Sequence, residues 1–180
     1  MYPITKYQLG LVICLGCWIA GSALSLNYSL ILKSEGLANY HLMYSRDIAS
    51  NLATGAMIFL NNVLTGFILS VLGYFSFGFL SVMVSLYNGY IFGILINGFV
   101  SKYAIGSIYL VFLHAPTELL ALCILGAMGL KGFGNINKLF VNKHYGYFES
   151  FPGYKAFLLP LLLLFISAFI ESDLLFNLIC

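Results

Sequence analysis

The residues best placed to do chemistry are His114 and Glu118, in the stretch Phe112-Leu113-His114-Ala115-Pro116-Thr117-Glu118-Leu119-Leu120. Spacing of i and i+4 puts an imidazole and a carboxyl on one helical face, within reach of each other. Their apolar surroundings read as membrane depth. There an acid costs at least about 2.5–3.5 kcal/mol on insertion scales, so it must find a partner or water. Pro116 between them has no N–H and would free the carbonyl of Phe112. Carbonyl, imidazole and carboxyl would then form a polar pocket inside a bundle. Such a pocket is either glue that fixes helix packing or a proton, cation or gating site, and spacing leaves both open. As a metal site the pair is one protein ligand short, so neither a metal nor another cofactor is expected.

Further polar residues lie in apolar surroundings. Asn61, Asn62 and Asn88 can hydrogen-bond across helices for about 0.6–2 kcal/mol each. Ser81, Ser85, Gly89, Gly93 and Asn97 recur every fourth residue, and Gly89-x-x-x-Gly93 is the spacing that lets helices approach closely. Ser85, Gly89, Gly93 and the helix-interrupting Pro116 are therefore the expected packing positions. Glu171 and Asp173 either sit at the membrane interface or, if the last helix tilts, bring Glu171 into the bundle. Cys14, Cys17, Cys123 and Cys180 read as small apolar residues, since Cys14-x-x-Cys17 lacks a thioredoxin-like context. His-Glu-x-x-His, Gly-x-Ser-x-Gly and phosphate-loop patterns are absent from the sequence. A non-enzymatic role is expected, with intramembrane catalysis by His114 and Glu118 as the alternative.

The elements that position these residues follow from composition. The chain of 180 residues is 61% apolar and 8% charged, with a mean hydropathy of +0.97. Soluble domains carry about 25% charged residues. Low charge with high hydrophobicity excludes a soluble enzyme and a disordered chain, and a net charge of +2 provides no basic stripe for nucleic acid. The fold class expected is all-α, a polytopic transmembrane helix bundle in the lipid bilayer.

A helix crosses the hydrocarbon core with about 20 apolar residues. Charge-free stretches place five spans at about 7–31, 50–72, 75–98, 105–130 and 154–176, one integral membrane domain over 1–180. The charge-free run 48–101 is too long for one helix, and Gly73, Ser76 and Gly78 suit a turn that divides it. Strict alternation over about 10 residues, the mark of a transmembrane barrel, is missing. The first apolar run continues past Ala23, so it reads as a retained helix rather than a signal peptide.

Lys6, Lys131, Lys138, Lys143 and Lys155 fall on one side and Lys33, Arg46 and Lys102 on the other. The excess predicts a cytoplasmic N-terminus and an outside C-terminus. The 32–49 segment mixes charges with Leu37, Tyr40, Leu42, Met43 and Tyr44 and could add an interfacial or re-entrant sixth helix. The 131–153 segment is rich in Gly and Asn and reads as turns. Its aromatic residues, Phe151 among them, and Lys131, Lys138, Lys143 and Tyr145 would make a basic, sticky surface for a soluble partner.

Several stretches, taken in order, resemble a known family. They are Ile58-Phe59-Leu60-Asn61-Asn62, Tyr87-Asn88-Gly89-x-x-x-Gly93, His114-x-x-x-Glu118 with Ile124-Leu125-Gly126-Ala127-Met128-Gly129-Leu130 behind it, and Ile166-Ser167-Ala168-Phe169-Ile170-Glu171. Together they resemble the stage II sporulation protein M family of bacterial membrane proteins. The resemblance implies a bundle of five to six helices in the bacterial cell membrane. It also implies one intramembrane cluster of Asn62, Asn88, Gly89, His114, Glu118 and Glu171. The motif departs from the family in Leu113 and Ala115, where Pro and often Gly are usual, and in Pro116 inside it. Founding members act with cell-wall hydrolases in spore formers as a membrane anchor. Short stand-alone relatives resemble components encoded with circular bacteriocins, which work with an ATPase in export, maturation or immunity. The expectation is a permease-like or scaffold subunit of that second kind, with or without homo-oligomer formation. A hydrolase anchor and an ion- or proton-coupled carrier are the alternatives.

Overall fold

The computed structural model describes residues 7–29, 48–102, 108–141 and 151–179. All elements in these stretches are helices: α1 (Gln8–Ser29), α2 (Ile48–Phe67), a π-helical turn (Ile68–Leu72), α3 (Gly73–Phe75), α4 (Phe79–Lys102), α5 (Ile108–Val141) and α6 (Lys155–Ile179). The π turn joins α2 to α3 in one continuous rod. Five helices are therefore long and apolar enough to cross a membrane. The 32–47 part of the expected interfacial segment lies outside the described residues.

Packing is inverted relative to a soluble protein. Leu9, Val12, Leu24, Leu52, Met57 and Leu162 are exposed on the outside, whereas Ser25, Ser70, Ser81, Ser85, Ser167 and Ser172 are buried. Between lipid-facing helices there is no hydrophobic drive for association, so small residues and interhelical hydrogen bonds take over that role. The α1–α4 contact shows it. A Cβ on Gly89 would strike the carbonyl of Trp18, and one on Gly93 would strike Ser25 Oγ and Ser22. Ser22 Oγ donates to the Trp18 carbonyl at 3.0 Å and to the Gly89 carbonyl at 2.9 Å, while Trp18 and Phe92 stack at 4.5 Å. The expected roles of Gly89 and Gly93 are met here. Ser85 meets Cys14 and Gly126 where α1, α4 and α5 converge.

The turn between α3 and α4 falls one step later than the glycines suggest. Gly73 is helical, and the chain reverses at Ser76-Phe77-Gly78, with φ of +53° at Phe77 and +86° at Gly78. The last two residues occupy the left-handed region that Gly tolerates without a Cβ penalty. Ser76 Oγ then accepts the backbone N–H of Leu80 at 3.1 Å and so caps the start of α4.

Helix α5 is the centre of the bundle. Half of its span residues are buried, against 17–28% in the other four. Its 34 residues correspond to about 51 Å at about 1.5 Å per residue, some 20 Å more than the hydrocarbon core of about 30 Å. The expectation of a helix over 105–130 followed by turns is therefore corrected: α5 continues to Val141. The reason is that Gly132 and Asn135 are packing residues rather than turn residues. A Cβ at Gly132 would run into the backbone of Tyr74, and Asn135 Nδ2 donates to Tyr74 Oη at 2.7 Å. Tyr74 is fully buried, edge-on to Phe151 at 5.1 Å, and Phe151 lies 6.3 Å from Phe157. Phe151, expected on a sticky loop surface, instead joins the closure of this end of the bundle.

A buried donor that loses its acceptor costs about 1–3 kcal/mol. Tyr74→Phe, which removes the hydroxyl that Asn135 uses, is expected to destabilise by that amount. Thermal unfolding in detergent, monitored by loss of helical signal, measures it.

Candidate functional site

His114 and Glu118 lie on the inward face of α5, one turn apart. On α6, Glu171 follows the buried pair Ser167 and Ala168 by one turn. Antiparallel packing of α6 on α5 brings the three side chains together. One ligand atom from each of His114, Glu118 and Glu171 lies within 4.8 Å of the other two, and all three residues are half-buried. The sequence left Glu171 open between interface and bundle interior. The fold puts it in the bundle.

The backbone beside the site is held across the two helices. Thr117 Oγ1 donates to the His114 carbonyl at 2.7 Å within α5. Ser167 Oγ donates to the same carbonyl from α6 at 3.3 Å. Next to it, α2 meets α6 through Gly55, which lies against Phe169 and Ser172, and through Phe59, edge-on to Phe165 at 5.6 Å. Two turns beyond Phe59, Gly66 faces Leu125 and Leu164, part of a buried apolar cluster with Leu69, Ala121, Leu122 and Met128. The polar triad thus sits above an apolar plug that fills the bundle on the α3 side.

Other expected members of the cluster are placed differently. Asn62 is buried at 7% exposure and its Nδ2 has no hydrogen-bond partner among the described residues. It shares the α2 face of Gly55, Phe59 and Gly66. Its neighbour Asn61 is exposed, and its backbone carbonyl accepts Thr65 Oγ1 at 3.1 Å. Asn61 therefore leaves the intramembrane cluster, because adjacent helical residues point about 100° apart. Asn88 is half-buried on the α4 face that carries Ser81 and Ser85. No described contact joins Asn61, Asn62 or Asn88 to the triad.

Pro116 requires a correction for the same geometric reason. Positions i and i+2 do not share a helical face. With His114 and Glu118 inward, Pro116 is exposed on the outside of the bundle, and α5 runs helically through it.

Of the expected docking residues, Lys131 is half-buried with its ammonium 3.8 Å from the ring centroid of Tyr7, a cation–π contact tying the start of α1 to α5. Lys138 lies on the last turns of α5, and its side chain is outside the described set. Lys143 and Tyr145 lie outside the described residues. Cys14, Cys17 and Cys123 are free thiols.

A site of one imidazole and two carboxyls can share a proton, hold a cation or lock two helices. No curated protein and no solved structure matches the chain. The family model described as stage II sporulation protein M matches residues 9–173, in agreement with the motifs and the membrane-helical bundle. The chain belongs to the stage II sporulation protein M family.

Proposed function

We propose that this multi-pass membrane protein is a non-catalytic subunit, permease-like or scaffolding, that works with a soluble ATPase in the export, maturation or immunity of a peptide. The observation that supports this reading is α5. One helix carries His114 and Glu118 in its apolar span, which runs to Asn135, and then continues as helix to Val141. A helix that rigid and that central suits a subunit that passes the state of a docked partner to the membrane interior. A bacterial cell membrane with the N-terminus cytoplasmic is part of the proposal, from the excess of Lys on the 131–155 side.

The test is site-specific cross-linking in cells. A photoreactive residue at Lys138 is expected to capture an ATPase subunit, and deletion of 142–150 is expected to reduce that capture at least tenfold. Capture of a cell-wall hydrolase through position 102 or 180, with none at 138, would instead establish the envelope-anchor reading. For orientation, Tyr145→Cys in a Cys180→Ser background is expected to react with an impermeant maleimide only after permeabilisation. Native Cys180 is expected to react in intact cells, and the reverse pattern would invert the topology.

A further inference from the structure

We propose that His114, Glu118 and Glu171 form a binding site for a divalent transition-metal cation, best represented by Zn²⁺. Sequence spacing supplies only two ligands, both on α5. The fold supplies the third from α6 and brings the ligand atoms within 4.8 Å of one another.

The geometry suits a single ion. Ligands at i and i+4 on one helix are the arrangement by which paired helical side chains hold zinc. Zinc bonds to nitrogen and oxygen of about 2.0–2.2 Å put tetrahedral ligand atoms about 3.3–3.6 Å apart. A separation of up to 4.8 Å therefore closes by at most about 1.5 Å, within the rotation of two Glu side chains. The fixed part, the backbone at His114, is already held from α6 by Ser167 Oγ.

Charge points the same way. Two carboxyls facing each other within the bundle need either protons or positive charge between them, and as carboxylates they would have in a protonated His114 an answer for only one. The basic residues on α5 and α6 are Lys131, Lys138 and Lys155. Lys131 and Lys155 lie 13 and 16 residues from Glu118 and Glu171, about 20 Å and 24 Å along the helices, and Lys138 is seven residues further from Glu118 than Lys131. None of the three is near the site along its own helix. A divalent cation would neutralise both carboxylates at once.

Ligand chemistry narrows the ion. Imidazole suits zinc, copper, iron and nickel, whereas an all-oxygen set would suit magnesium or calcium. Three protein ligands leave at least one coordination position for water or an arriving ligand. The site spans two helices, so an ion there would tie α5 to α6, independently of which partner docks on the protein.

The experiment uses the full chain in detergent, stripped with a chelator and titrated with Zn²⁺. About one zinc per chain is expected, with a rise in melting temperature. Glu171→Gln and Glu118→Gln are each expected to weaken binding at least ~100-fold, beyond the 10–100-fold typical of losing a group behind a ligand. His144→Ala should bind as the native chain does. Co²⁺ loading is expected to give a spectrum without thiolate charge transfer, which separates this site from the cysteines. Size exclusion and helical signal identify variants that fold. Should Glu118→Gln fail to fold, Glu171→Gln and His114→Gln carry the same test. No stoichiometric zinc on the native chain, or zinc retained by folded Glu171→Gln, would overturn the proposal and leave the triad as a proton-sharing cluster.

Discussion

Gly129→Leu is expected to abolish a stable bundle. A Cβ at Gly129 would press on the carbonyl of Leu69 and on Ser81 Oγ, with the Cα of Gly73 next. Two of these are backbone and cannot rotate away. Ser81 Oγ also donates to that same Leu69 carbonyl at 2.8 Å, so relief by moving Ser81 breaks a buried hydrogen bond. Overpacking of this kind costs about 1–3 kcal/mol, and stranding the buried hydroxyl about 1–3 kcal/mol more. Together, about 2–6 kcal/mol is a large fraction of the about 5–15 kcal/mol by which native domains are stable. Gly16→Leu is the control, since nothing lies within 4 Å of a Cβ at Gly16. Thermal unfolding and monodispersity in detergent measure both. A Gly129→Leu protein as stable as Gly16→Leu would show that the α4–α5–π-turn junction is not tightly packed.

The second large effect concerns function. Glu118→Gln keeps side-chain volume but removes a charge next to Glu171 and His114. The expected result is a protein that still folds and still captures its partner at position 138, yet loses export or immunity by at least tenfold. In the metal-free protein the change should stabilise, because an amide and a carboxyl can hydrogen-bond where two carboxylates repel. A peptide-resistance assay in cells, run beside thermal unfolding, separates the two roles. Full resistance with Glu118→Gln would reduce the triad to a structural lock.

Much of this fold is legible from charge-free runs alone, because a span needs apolar length and little else. The Gly89–Gly93 stripe is equally plain, since period-four spacing lies within one helix. The parts that escaped depend on a second helix. Gly132 and Asn135 look like turn residues until Tyr74 is seen lying against them. The series Gly126, Gly129 and Gly132 at every third residue seats α5 against α1, the π turn and α3, and its regular spacing is as plain in the sequence as the period-four pattern. Glu171 could not be assigned from spacing, because its partners are on α5 and only the depth of α6 decides whether they meet. Pro116 follows a simpler rule: once His114 and Glu118 point inward, a residue two positions on from His114 must face outward, and Pro116 is exposed.

The π turn at Ile68–Leu72 has a consequence for how this chain can vary. A π turn holds one residue more than the α-helical turn it replaces. That extra residue offsets the rod by about 100°. It allows the Gly55–Gly66 face before the turn and the Gly73–Tyr74 face after it both to look inward. The rod therefore behaves as two half-helices with separate phase. Insertions or deletions inside Ile68–Leu72 would act as a phase adjuster, changing which face α3 shows to α5 without altering α2. Relatives of this chain should accordingly differ in length at this turn more readily than elsewhere in their spans.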